Sequence, residues 1–131
     1  MAHVSFPVKR RNLFALLTVF YAALIFFFSS RSVPPTLARW PDTLLHFGEY
    51  ALLGFLLSGW LTDGFRRPFT PVLWVVVTIL GGLYGAGDEF HQSFVPLRDA
   101  SLKDVAVDFL GSACFPSLLL FSPFRRSRGS L

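Results

Sequence analysis

Four apolar runs, each about as long as a bilayer crossing, leave this chain few folds to choose from. The first is Leu13–Phe28, in which only Thr18 and Tyr21 carry polar side-chain atoms; Ser29 and Ser30 extend it to eighteen residues. At a helical rise of about 1.5 Å per residue it covers about 27 Å, close to a hydrocarbon core of about 30 Å. Three more spans are expected over 43–61, 72–92 and 102–121. Of 131 residues, 53% are hydrophobic and 15% charged, where a soluble domain has about 25% charged. The polar residues fall in a few short segments between the runs, which excludes a soluble globule. The expected fold class is all-α: a four-transmembrane-helix bundle over 13–122, preceded by a cytoplasmic segment 1–12 and followed by a basic cytoplasmic tail 123–131.

Local signals set the helix ends. Pro34-Pro35 stops the first helix, and Pro41 suits the start of the second. Ser101-Leu102-Lys103-Asp104 has the capping-box form, so the fourth helix should begin at Leu102 with Asp104 as the reciprocal cap. Pro116 should remove one hydrogen bond from that helix and kink it. Trp40, Trp60 and Trp74 suit membrane interfaces. A basic start before an apolar run also fits a signal peptide. No A-x-A-like site follows and the run is long for that role, so an uncleaved first span is expected. The single cysteine, Cys114, lies in an apolar run and forms no intramolecular disulfide.

Four crossings place both termini on one side. That side carries Lys9, Arg10, Arg11, Arg66, Arg67, Arg125, Arg126 and Arg128; the other carries Arg31, Arg39, Arg98 and Lys103. Eight bases against four predict an integral protein of the cytoplasmic membrane with both termini cytoplasmic. The net charge of +4 comes mainly from the chain ends, and no nucleic-acid-binding motif accompanies it. Of the eight acids only Asp63 falls on the inner side. The other seven gather at the outer ends of spans two, three and four.

These acids sit in a pattern. His46, Glu49 and Tyr50 are three and four residues apart and share one helix face. Gly81, Gly85, Asp88 and Gln92 form one stripe of the third span, where Gly81-x-x-x-Gly85 lets another helix approach closely. Glu89 points about 100° away from Asp88, so the two need not share a partner. Asp104 and Asp108 lie four apart on the fourth span and repel unless a cation or proton intervenes. Ionisable groups are costly within a membrane and mark functional sites. The expectation is one polar pocket at the external end. His46, Glu49, Asp88 and Glu89 are its candidate catalytic or metal-ligating groups, and Tyr50, Gln92, Arg98, Asp104 and Asp108 its candidate substrate-binding groups. Against this stand plainer roles. His46 and Glu49 can simply join helices by hydrogen bonds. Asp104 can act as a cap, Arg98 as an acid's salt-bridge partner and His91 as an interfacial side chain.

The combination H-F-x-E-Y-x-x-L-G, then D-E-x-x-Q-x-F-V-P-x-R, then D-x-x-x-(D/N)-x-x-G resembles the VanZ-like family of membrane proteins from Asp42 to Gly111. Asp88, Glu89, Gln92, Arg98, Asp104 and Gly111 fall where that family's pattern has them; position 108 is usually Asn there and is Asp here. The resemblance implies a four-helix, envelope-related membrane protein; the family is named after an accessory protein of teicoplanin resistance. Three functions compete. One is an enzyme acting on a lipid or lipid-linked precursor, with the carboxylates and His46 serving as acid-base groups or holding a divalent metal. A second is a binding protein for an amphiphile such as an acylated glycopeptide. A third is a small proton-coupled transporter subunit, for which four short spans leave little room without homo-oligomerisation.

Overall fold

The computed structural model describes residues 9–32 and 41–122. Within them the chain is all-helical: α1 (Arg10–Ser29), α2 (Asp42–Leu61), α3 (Pro71–Gln92) and α4 (Leu102–Phe121). All four are long and apolar enough to cross a membrane. Their bounds follow the apolar runs closely. The expectations for Pro34-Pro35, Trp40, the segment before residue 9 and the basic tail lie outside the described residues.

The helices run alternately up and down, so α2 and α4 are parallel to each other and antiparallel to α1 and α3. The packing order departs from the chain order. α4 packs most extensively on α2 and next on α3, while α1 lies mainly against α2. α2 is the most enclosed of the four and α1 the least. Leu16, Val19 and Phe20 of α1 are more than 60% exposed, as suits a helix turned towards lipid.

Small residues let α4 enter the middle. A Cβ on Gly54 of α2 would collide with the backbone carbonyl of Ser112, and one on Gly111 of α4 would stand 2.6 Å from the carbonyl oxygen of Phe47. On α3, Gly81 faces the Ser112 side chain, Gly82 the Phe109 ring and Gly85 the Asp108 side chain. The helix that the Gly81-x-x-x-Gly85 stripe admits is thus α4. Pro116 is fully buried and α4 continues through it to Phe121. Proline has no N–H, so Ser112 lacks its usual i+4 donor. The carbonyl left over is the one seated on Gly54, where a Cα–H can approach it.

At one end of the bundle the turn between α2 and α3 holds three successive residues in the left-handed region: Asp63, Gly64 and Phe65. Thr62 steadies it, accepting from the Phe65 N–H through Oγ1 and from the Arg67 N–H through its carbonyl. Phe65 then joins the rings of Phe14, Phe55 and Phe115. Trp74 also lies towards this end, donating from Nε1 to Ser117 Oγ at 2.9 Å. The other end, where α2 and α4 begin and α1 and α3 finish, holds the polar groups.

Candidate functional site

His46 is the centre of the polar end. It stands one turn into α2 and is 4% exposed. Its Nδ1 lies 2.9 Å from Asp108 Oδ1 of α4. With Asp108 ionised its carboxylate can only accept, and the ring then donates from Nδ1. On the far side of the ring, Nε2 lies 3.5 Å from Glu89 Oε1 of α3 and 3.9 Å from Asp42 Oδ2, one turn back along α2. Asp104 joins Asp42 and His46 in a group whose ligand-type atoms all lie within 4.8 Å of one another. One imidazole therefore faces carboxylates from three helices.

The local reasons are visible residue by residue. Glu89 is held by the start of α4, since the Ser101 N–H donates to Glu89 Oε2 at 2.8 Å. This corrects the expected capping box: Ser101 Oγ accepts from Lys103 N–H, but the reciprocal acceptor comes from α3 rather than from Asp104. Relieved of that task, Asp104 lies buried beside His46, 7% exposed. Asp108 is fully buried and Gly85 makes room for it. Tyr50 follows His46 by one turn and stacks parallel to its ring, with 6.4 Å between centroids. It too is fully buried, with a hydroxyl that has no hydrogen-bond partner among the described residues. That places Tyr50 beneath the cluster, away from solvent.

Asp88 belongs to a second group. Its Oδ1 accepts from Ser29 Oγ of α1 at 2.6 Å, and its Oδ2 accepts from Gln92 Nε2 at 3.0 Å. Asp88 and Glu89 thus take separate partners, as their angular offset requires. Arg98 forms no ion pair with an acid among the described residues. Its Nε donates to the Arg31 carbonyl at 3.1 Å and its Nη2 to the Phe28 carbonyl at 3.2 Å, covering the carbonyls at the end of α1. A cation there also suits the negative end of the helix dipole. His91 stays outside both groups, with Nε2 2.9 Å from Ser30 Oγ and its ring against Phe26.

A cleft of about 80 Å³ joins the two groups, lined by Phe28, Ser29, Asp42, Leu45, His46, Glu49, Gln92 and Arg98. The half-buried Glu49 lines this cleft with His46. In place of one pocket, the structure gathers His46, Glu89 and Asp108 in one group and Asp88 and Gln92 in another at the same bundle end, with Arg98 turned to the carbonyls of α1. Sequence reasoning passed over Asp42 and Ser29. The four-residue step from Asp42 to His46 was a readable signal for the first. Nothing local marks Ser29, whose partner is 59 residues away.

The arrangement can hold a proton or a cation between carboxylates and can offer polar contacts to a small group entering the cleft. No protein-family model matches the chain, and no solved structure matches it. The chain is similar to the uncharacterized protein C11E3.10 of Schizosaccharomyces pombe, with 29% identity over 127 residues, covering 97% of this chain and 72% of that protein.

Proposed function

We propose that the chain is a VanZ-like integral protein of the cytoplasmic membrane that binds the polar part of a lipid, or of a lipid-linked or acylated glycopeptide ligand, at the external face. The observation that carries this reading is the cleft, which is lined by polar and apolar side chains together. His46, Glu49 and Gln92 line it together with Phe28 and Leu45, which are 57% and 46% exposed. Its volume is well below the roughly 300–1,000 Å³ of sites that enclose a whole small molecule. A single polar group fits, with the apolar remainder of the ligand lying along the outside of α1 and α2. A catalytic version uses the same site. His46, oriented by Asp108, is the group placed to move a proton.

The test is a titration of the detergent-purified protein with phosphatidylglycerol and with teicoplanin, an acylated glycopeptide, read by calorimetry. One ligand per chain is expected, with affinity at least tenfold weaker in His46→Ala. Equal affinity in the two proteins would overturn the reading. Stoichiometric binding without product marks a binder, and turnover marks an enzyme.

The orientation rests on the bias of eight bases against four. Reporter fusions after residue 131 and within 62–70 should read cytoplasmic, and a fusion near Pro34 external. An external C-terminus would reverse the assignment.

A further inference from the structure

We propose that the end of the bundle opposite His46 binds a lipid whose head is a bare phosphate monoester, of the phosphatidic acid type, with Arg67 holding the phosphate in a cavity walled by the α2–α3 turn and the end of α4.

The cavity is the first support. It measures about 300 Å³, and its lining combines Thr62, Arg67 and Ser122 with Phe65, Pro68, Phe69 and Leu119. Thr62 and Phe69 are buried, while Phe65 is 37% exposed, so the lining runs from the core out to the surface. Sites that take a small molecule begin at about this size.

Charge is the second. Lys9, Arg10, Arg11, Arg66 and Arg67 lie at this end of the bundle, and Asp63 is the only acid beside them among the described residues. The Arg67 guanidinium makes no ion pair and no hydrogen bond among the described residues, although Asp63 stands in the same turn. The stem of Arg10 packs over Gly64, 2.7 Å from where a Cβ would stand, which keeps a second arginine at the turn. An excess of bases by itself orients a chain and needs no ligand. An unpaired arginine in the wall of a cavity goes further, because its planar fork suits a phosphate. Basic pockets at the ends of spanning helices are headgroup sites.

The polar inventory of the lining selects the head. Thr62 gives its hydroxyl proton to the Ser58 carbonyl at 2.6 Å and accepts from the Phe65 N–H at 3.2 Å. Apart from Ser122, the other lining side chains besides Arg67 are apolar. A glycerol or sugar head would bring hydroxyls that these walls do not pair, which is costly on burial. A bare phosphate asks only for the guanidinium. The setting favours a lipid over a free anion. Trp60 in the last turn of α2 and Trp74 in the first turn of α3 suit the headgroup level. Leu118 and Phe121 in the last turn of α4 are 64% and 84% exposed and leave apolar surface for acyl chains.

The test titrates the full-length protein in detergent with dioctanoyl phosphatidic acid, read by calorimetry and by melting temperature. Arg67→Ala should weaken binding at least about tenfold, the loss of a charge-assisted contact. It should melt like the parent protein without lipid, because the Arg67 backbone N–H still reaches the Thr62 carbonyl. Arg66→Ala removes an equal charge that does not line the cavity and should change little. Titration with phosphatidylglycerol should be the same in Arg67→Ala and the parent protein, so this site and the cleft beside His46 stand or fall separately. Unchanged phosphatidic acid affinity in Arg67→Ala would overturn the proposal. An equal loss in Arg66→Ala would overturn it in favour of diffuse charge attraction. Inorganic phosphate binding as tightly as the lipid would assign the cavity to a free anion instead. Tighter lipid binding after removal of residues 123–131 would make the chain's own tail the occupant.

Discussion

Leucine at Gly54 or Gly111 should destabilise the bundle by about 3 kcal/mol or more, at the upper end of what overpacking costs. Both glycines face backbone, the Ser112 carbonyl in one case and the Phe47 carbonyl in the other. A backbone cannot rotate away as a side chain can, so the helices must separate. The opposing effect is small: replacing Gly by a good helix former gains only about 1 kcal/mol. Gly85→Leu should also destabilise, by displacing Asp108 from its place beside His46. Gly48→Leu and Gly87→Leu are the controls, since nothing lies within 4 Å of a Cβ added at either position. Thermal melts in detergent compare the five variants. Equal melting temperatures for Gly54→Leu and Gly48→Leu would show that α2 and α4 are not in close contact.

Asp88→Asn and Glu89→Gln should each abolish function, here a loss of at least tenfold in the lipid affinity defined above, while leaving abundance near normal. The geometry explains why folding survives. Ser29 Oγ is within reach of the Phe26 carbonyl at 3.0 Å as well as Asp88. An Asn amide at position 88 can donate to that hydroxyl, which then donates to Phe26. Gln at position 89 keeps an oxygen for Ser101 N–H. Each change therefore removes a charge but spares the hydrogen-bond frame. Full affinity in both variants would remove the charged site from the mechanism. Loss of abundance in both would make the two acids ties between helices and nothing more.

The helices were readable because membrane length and apolar composition act locally, and Pro41, Pro71 and Ser101 mark starts that chain neighbours enforce. The polar end was readable as well, since alternating spans bring His46, Asp88 and Asp108 to one side whatever their packing. What stayed hidden is which helix touches which. A span that meets lipid outside and leucine inside shows no polar stripe to mark its inner face. The glycine stripe on α3 announced a close neighbour without naming α4. Asp104 and Arg98 show the same limit. A capping rule sees four residues of sequence, yet Glu89 reaches Ser101 from another helix. Arg98 answers the carbonyls of Phe28 and Arg31, roughly seventy positions earlier.

The placement of α4 between α2 and α3 has a consequence for biogenesis. Translation delivers α1, α2 and α3 first, and these three lack the surface that unites them. Until α4 enters, His46 has no Asp108, Glu89 has no Ser101 N–H, and Gly54, Gly81 and Gly85 face an unfilled space. The contacts of α1 with α2 and of α2 with α3 can form in the order of synthesis, but the more extensive ones made by α4 must wait for it. The half-made protein must hold ionisable groups in the membrane without their partners, at a cost of about 2.5–3.5 kcal/mol for a charge at mid-span and less near the interface. In a chain that ends before Leu102 these groups lack the partners that α4 supplies, and entry of the fourth helix is the event that satisfies them.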